Sequence, residues 1–246
     1  MYMLHKSCGG FCHILGLPKA GVRGIMGEKG GKPCRIFHFF TTEYGVASVI
    51  LREVPYRGEA YIHIQEAAPE HLQEHIRQCR DFCRAVGAEH IYIKEYPGLP
   101  QLPLHTQMVQ MTGTAWVDRE KLCALFPVTQ ATAGRWRAYH NQRMAGVDNA
   151  ATLEAREEAK IADSGGAYFV HRDGQLLGIG WMEDTKLLTV AAEPGQGERV
   201  MHSLMSLVEG AQMTMEVAST NGRAVTLYQR LGFVATRPLD SWYCLD

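Results

Sequence analysis

Long apolar runs, a surplus of one charge and an even set of cysteines are all missing from this 246-residue chain. No apolar stretch approaches the roughly 18 residues that a membrane span requires. The opening MYMLHKSCGGFCHILGLPKAG holds no long apolar core of a signal peptide, so a cytoplasmic protein is expected. With a formal charge of -1, electrostatics give no reason to expect nucleic acid or an acidic membrane surface as partner. Seven cysteines, an odd number, argue against a disulfide framework and fit a reducing compartment. The eleven histidines are scattered, with no HExxH. Cys8 and Cys12, like Cys79 and Cys83, stand four positions apart. The second pair falls on a predicted helix and reads as small apolar residues of its inner face. No metal is expected.

An apolar content of 46% with 21% charged residues describes a globular protein able to bury a substantial core. The glycine-rich first 33 residues read as loops with one short helix. CRIFHFFTTE, GVASVILREV and EAYIHIQEA then read as strands. The alternation in YIHIQ makes one face of its strand apolar and the other wet. PEHLQEHIRQCRDFCRAVG is a helix, opened by proline and closed by Gly87, with Leu72, Ile76, Cys79, Phe82, Cys83 and Val86 on one stripe. HIYIKEY is the next strand. Proline-rich YPGLPQLPLH is a loop or linker, and MVQMTGTAWV is a short strand. A domain boundary is placed near Val117, giving domains 1–117 and 118–246.

Three helical stretches are expected after it: DREKLCALF, about Ala133 to Asn141, and TLEAREEAKIADSG. Strands AYFVHRDG, QLLGIGWMED and KLLTVAAE come next, the first turn marked by Asp-Gly. ERVMHSLMSLVE is a helix, MTMEVAST a strand, and FVATR and SWYCL two more strands. Both halves thus run strands into a helix and out into another strand, weak evidence for an internal duplication.

Two segments carry the chemistry. In LLTVAAEPGQGERVM an apolar strand ends in Glu-Pro-Gly-Gln-Gly and a helix begins at once. Glycines there let the backbone approach a ligand, and free amides at a helix start favour a phosphate. The loop lacks the glycines of a Rossmann fingerprint and the lysine of a P-loop, and a tight structural turn is the competing reading. In NGRAVTLYQRLGF, Asn221 suits an N-cap. Ala224, Leu227, Tyr228 and Leu231 share one helix face, and Gly232 suits the left-handed stop.

Taken in order, KLLTVAAEPGQGERVMHSLM, MTMEVAST and NGRAVTLYQRLGF resemble the GNAT family of N-acetyltransferases, over roughly residues 120 to 246. The strand–strand–strand–helix–strand order of residues 34 to 97 looks like a second, incomplete copy without the glycine loop. The resemblance implies an α+β fold: a mixed, mostly antiparallel GNAT-like sheet flanked by helices, with two such domains in tandem, the first degenerate. It further implies acetyl-CoA as the cofactor and, as partner, a small-molecule or peptide amine substrate, bound by a monomer or homodimer. Amides of Val190, Ala191 and Ala192 would pair with the pantetheine arm. Gly195, Gln196, Gly197, Glu198, Arg199 and Val200 would hold the pyrophosphate. Asn221 and Ala224 would lie beside the cofactor, with Tyr228 at the thiol. Gly195 and Gly197 match the family's loop glycines, whereas Ala192 stands where the family carries Gln or Arg.

A tyrosine, with a pKa of about 10, can protonate a departing thiolate at neutral pH. A neutral amine needs a base, for which Glu183 comes first and Glu193 second; either also reads as an ordinary solvated carboxylate. Direct attack on the thioester in a ternary complex needs no cysteine nucleophile, and a strand amide near Val190 would stabilise the oxyanion. Trp136, Tyr139, His140 and Trp181 are candidates to line the acceptor cleft, although aromatics at helical spacing more often pack the core. Three functions are compatible with these residues: an N-acetyltransferase, a non-catalytic acyl-CoA-binding module, and a relative using another donor. A donor carried on tRNA would want a basic groove, which the charge argues against.

Overall fold

A computed structural model of the protein describes residues 21–24 and 37–245, so Cys8 and Cys12 lie outside the described residues. The chain divides into two compact units, Met1–His105 with Ser241–Asp246, and Thr106–Asp240. Among the described residues, no helix is long and apolar enough to cross a membrane, and no group of three or more His, Cys, Asp or Glu is placed to hold a metal ion.

The first unit contains strands β1 (Gly21–Gly24), β2 (Phe37–Thr41) and β3 (Gly45–Ile50), the single turn α1 (Val54–Arg57), β4 (Glu59–Ala67), α2 (Leu72–Ala85) and β5 (His90–Lys94). Residues 51–54, expected to extend β3, turn into α1 instead, because Pro55 cannot donate to a ladder but suits a first helical turn. The strands run antiparallel from β1 to β4, and α2 carries the chain across to the parallel β5. On one sheet face Ile62, Ile64, Ile91 and Ile93 pack against Leu72, Ile76, Cys79 and Cys83 of α2. Burial there pushes the Cys83 thiol up to about 12 and Cys79 further in the same direction. The opposite face is not uniformly wet. Tyr61 is buried against Tyr92 and Trp242, with ring centroids 5.2 Å away in both cases.

The second unit contains most of β6 (Leu104–Thr114), β7 (Ala124–Pro127), α3 (Ala133–Met144), α4 (Glu158–Asp163), β8 (Ala167–Arg172), β9 (Gln175–Glu183), β10 (Lys186–Ala192), α5 (Gly197–Met205), β11 (Gln212–Ala218), α6 (Gly222–Arg230) and most of β12 (Val234–Cys244). Strands β6-β11-β10-β9-β8-β7 are neighbours in that order. All pairs are antiparallel except β10–β11, which α5 connects in parallel.

The helix expected over DREKLCALF is only a 3-10 turn at Arg119–Lys121, followed by β7. Asp118 caps that turn by accepting from the Glu120 amide at 3.1 Å. Pro127 disfavours helix at Phe126, whose segment pairs with β8 instead. FVATR and SWYCL are likewise one strand, β12, running through Pro238.

Each face of the second sheet has its own core. Under α5 and α6 lie Met111, Leu187, Val200, Met201, Leu204, Met213, Met215, Tyr228 and Phe233. Under α3 and α4 lie Trp136, Ile161, Ile179, Trp181 and Ala191. Gly180 sets the first of these distances, since a Cβ at that position would stand 2.3 Å from the Leu204 Cδ1. A side chain there would push α5 off the sheet.

Candidate functional site

The parallel pair β10–β11 is short. Only Lys186↔Thr214 and Leu187↔Met215 are in register, and then the two strands part. Beyond that point β10 stays paired with β9 through Ala192, and β11 with β6 through Ala218. A wedge therefore opens between them, bordered by two strand edges. The parting coincides with a bulge at Leu188, where the β10–β9 register shifts. A bulge bends its strand and increases its local twist. Leu188 is exposed there.

The Glu193 amide donates to Leu177 O on the β9 side at 2.8 Å. Strand alternation then turns the amides of Val190 and Ala192 away from β9, toward the wedge. Val190 and Ala192 pack on the core beneath α5 and α6, and Ala191 is buried on the opposite face. The loop follows at once. The Gln196 amide donates to Glu193 O at 2.9 Å, Gly195 takes φ +79°, and α5 starts at Gly197 without a side-chain cap. First-turn amides of a helix have no intrahelical partner, and Gly197, Glu198 and Arg199 occupy that turn. Val200 is fully buried beneath it.

Electrostatics at the loop are set from two sides. Lys121 Nζ binds Glu198 at 2.7 Å, and that hydrogen bond holds the Glu198 carboxyl below its usual range. The Arg199 side chain has no partner among the described residues, leaving one free guanidinium in the first turn of α5. Glu193 is engaged by α3. Tyr139 Oη donates to its Oε1 at 2.8 Å, and Arg143 Nη1 stands 3.6 Å from its Oε2. Arg143 Nη2 also donates to Ala192 O at 2.5 Å. Burial and the Glu193 hydrogen bond push the Tyr139 hydroxyl above its ordinary pKa. A guanidinium thus sits beside Ala192, the position that carries no basic side chain of its own.

On α6 the N-cap is as expected: Asn221 Oδ1 accepts from the Ala224 amide at 3.2 Å. Leu227 approaches the loop closely, since a Cβ on Gly197 would stand 2.9 Å from its Cδ2. Tyr228 is 7% exposed, packed in the same core cluster as Met215 and Val217. Its hydroxyl makes no side-chain hydrogen bond among the described residues, and burial pushes its pKa up to about 12. Glu183, by contrast, is exposed at the β9–β10 hairpin, cross-strand from Lys186. The aromatic candidates separate. Trp136, His140 and Trp181 are buried, and Trp136 Nε1 donates to Tyr168 O at 3.0 Å, so these three are core residues. Only Tyr139 reaches the loop.

On α5 itself His202 is fully buried, its Nδ1 accepting from the Asp118 amide at 3.3 Å. Burial lowers its pKa, and does the same to His75 in the first unit. A lowered histidine pKa means that the unfolded chain binds the extra proton more readily. The contribution is complete above the unfolded value of about 6.5 and is lost as pH falls through the folded value. Urea midpoints are therefore expected to fall between pH 7 and pH 5, and His202→Gln to flatten that slope. An unchanged slope would show that His202 is not a source of acid sensitivity.

Comparison with known proteins shows the fold. No family model matches the chain, and no curated protein sequence does. Among solved structures, a conserved protein of unknown function from Enterococcus faecalis V583, described as a candidate N-acyltransferase, superposes with a TM-score of 0.53 at 10% identity, over 84% of this chain and 61% of that one. A candidate acetyltransferase from Pyrococcus horikoshii gives 0.50 at 11% identity, over 85% and 74%. An acetyltransferase of the GNAT family from Colwellia psychrerythraea gives 0.48 at 12%, over 91% and 92%. At such identities the likeness is one of architecture: a mixed sheet flanked by helices.

Proposed function

We propose that this chain is an acetyl-CoA-dependent N-acetyltransferase acting on a primary amine. The observation that carries the reading is the parting of β10 and β11 after two residue pairs, with a glycine loop and helix start at one end. An opened strand edge accepts an extended amide-bearing chain as an added strand. Val190 and Ala192 supply amides to such a pairing, and the Ala192 carbonyl is reachable once Arg143 turns aside. The first-turn amides of α5 and the Arg199 guanidinium suit a pyrophosphate. Bound acetyl-CoA would supply an acetyl group activated as a thioester. Around it, a strand amide near Val190 stabilises developing negative charge on the carbonyl oxygen. Tyr228 gives its proton to the departing sulfur, and Asn221 and Ala224 border the cofactor from α6. Attack by the amine is direct, within a ternary complex.

The first unit supports a tandem reading. Its β4–α2–β5 crossover repeats the order of β10–α5–β11, but enters α2 through Ala68-Pro69 without a glycine loop. We read it as a degenerate copy. A second function, acyl-CoA binding without catalysis, draws on Ala192, where the resemblance expects Gln or Arg. Isothermal titration with acetyl-CoA and CoA tests the primary reading. Micromolar binding of both is expected, with CoA release when an amine is added. Binding without release on any amine supports the second reading, and no binding at hundreds of micromolar overturns both.

A further inference from the structure

Proline-rich YPGLPQLPLH has no part in the site of the second unit, but it meets the first unit where two strands separate. β4 and β5 run in parallel for four pairs, from Glu59↔His90 to Ile62↔Ile93, and then part. Beyond that point β4 stays with β3 through Ala67, past a bulge at Gln65 where the register shifts. β5 continues on its other side with β12, at Trp242↔Lys94. The first unit thus opens a wedge of its own before α2, as β10 and β11 do before α5. That wedge is filled from within. The Ala68 amide donates to Tyr44 O, next to β3, at 2.8 Å. The Ala67 amide turns the other way and donates to Tyr96 Oη at 3.3 Å.

The residues after Tyr96 hold its hydroxyl there. Tyr96-Pro97-Gly98-Leu99 is a turn closed by the Leu99 amide, which donates to Tyr96 O at 3.2 Å. Proline suits the second position of a type II turn, and Gly98, at φ +83°, supplies the left-handed third. The turn lies on the first residue of α2, since a Cβ on Gly98 would stand 3.2 Å from Leu72 Cδ2. Tyr96, Leu99 and Leu102 all pack against the core beneath α2. We propose that this turn is a built-in occupant of the first wedge, so that the first unit takes no ligand there and the chain binds one acetyl-CoA. The occupancy stands on these contacts, whereas the count of one rests on the acetyltransferase reading. Strand amides removed from water need partners. In the second unit Val190 and Ala192 leave theirs to a ligand; in the first, the chain supplies a tyrosine oxygen. Only Glu95 separates Tyr96 from the end of β5. A tether that short presents the ring at an effective concentration of about millimolar, which keeps the edge covered against a dilute competitor.

Amide exchange of the full chain without ligand, read at Ala67 by NMR, tests the occupancy. Tyr96→Phe keeps the ring and removes only the oxygen. Exchange at Ala67 is expected to quicken about fivefold, the factor carried by one hydrogen bond of ordinary net strength, while Ala68 is unaffected. Equal exchange at Ala67 in the two proteins overturns the occupant. Calorimetric titration of the unaltered chain with acetyl-CoA is expected to give one site per chain. Two sites overturn the closed first wedge and leave the acetyltransferase reading standing. No binding overturns that reading, and exchange at Ala67 still decides whether the turn fills the wedge.

Discussion

Replacing Tyr228 by phenylalanine is expected to lower acetyl transfer by about 10²–10⁴-fold, the range for loss of a positioned general acid, while binding of CoA and folding stability hardly change. The two halves of that expectation come from different observations. The hydroxyl makes no side-chain hydrogen bond among the described residues, so its removal leaves no buried partner unsatisfied. The ring stays, with its packing on Leu231 and its edge contact to Phe233 at 6.4 Å. Burial meanwhile raises the phenol pKa to about 12, so the hydroxyl stays protonated at neutral pH and is available as a donor to a sulfur held beside it. Stopped-time assays of CoA release, paired with calorimetry, separate the outcomes. Full activity in Tyr228→Phe would make this tyrosine a core residue and nothing more.

The second large effect is on stability. Trp136→Ala is expected to cost about 3–5 kcal/mol, the range for deleting a large buried aromatic. Trp136 is fully buried on α3, stands edge-on to Trp181 at 6.1 Å, stacks with His140 at 5.6 Å, and donates to Tyr168 O at 3.0 Å. Truncation opens a cavity and strips that carbonyl of its donor. The loss reaches the loop as well, because α3 carries Tyr139 and Arg143 to Glu193 and Ala192. Urea midpoints of the two proteins give the difference. A change below about 1 kcal/mol, typical of tolerated core swaps, would mean that α3 is held mainly by other contacts.

Legibility from sequence tracked how local the determinants were. Helix α6 was readable almost to the residue, because cap, stripe and stop all lie within NGRAVTLYQRLGF. The α2 stripe was equally readable. DREKLCALF misled because its apolar spacing is compatible with a helix, whereas the β-ladder to β8 that decides its state is written some 45 residues later. The charges at the site show the same division. Glu183 and Glu193 lie close in sequence to recognisable segments and could be singled out. Arg143 was missed for a similar reason: α3 is distant in sequence from the loop it holds, and nothing within YHNQRM marks that arginine apart from its neighbours.

The sheet of the first unit is finished by the far end of the chain. Trp242, Tyr243 and Cys244 of β12 pair with β5, and Leu245 belongs to that unit's core. On the ribosome, this edge of β5 must therefore wait while the whole second unit is synthesised. Contacts between residues so far apart in sequence form slowly, and an open strand edge invites pairing with another chain. During synthesis the first unit is thus an incomplete sheet that a nascent-chain chaperone has reason to shield, and its maturation is tied to completion of the unit that bears the site.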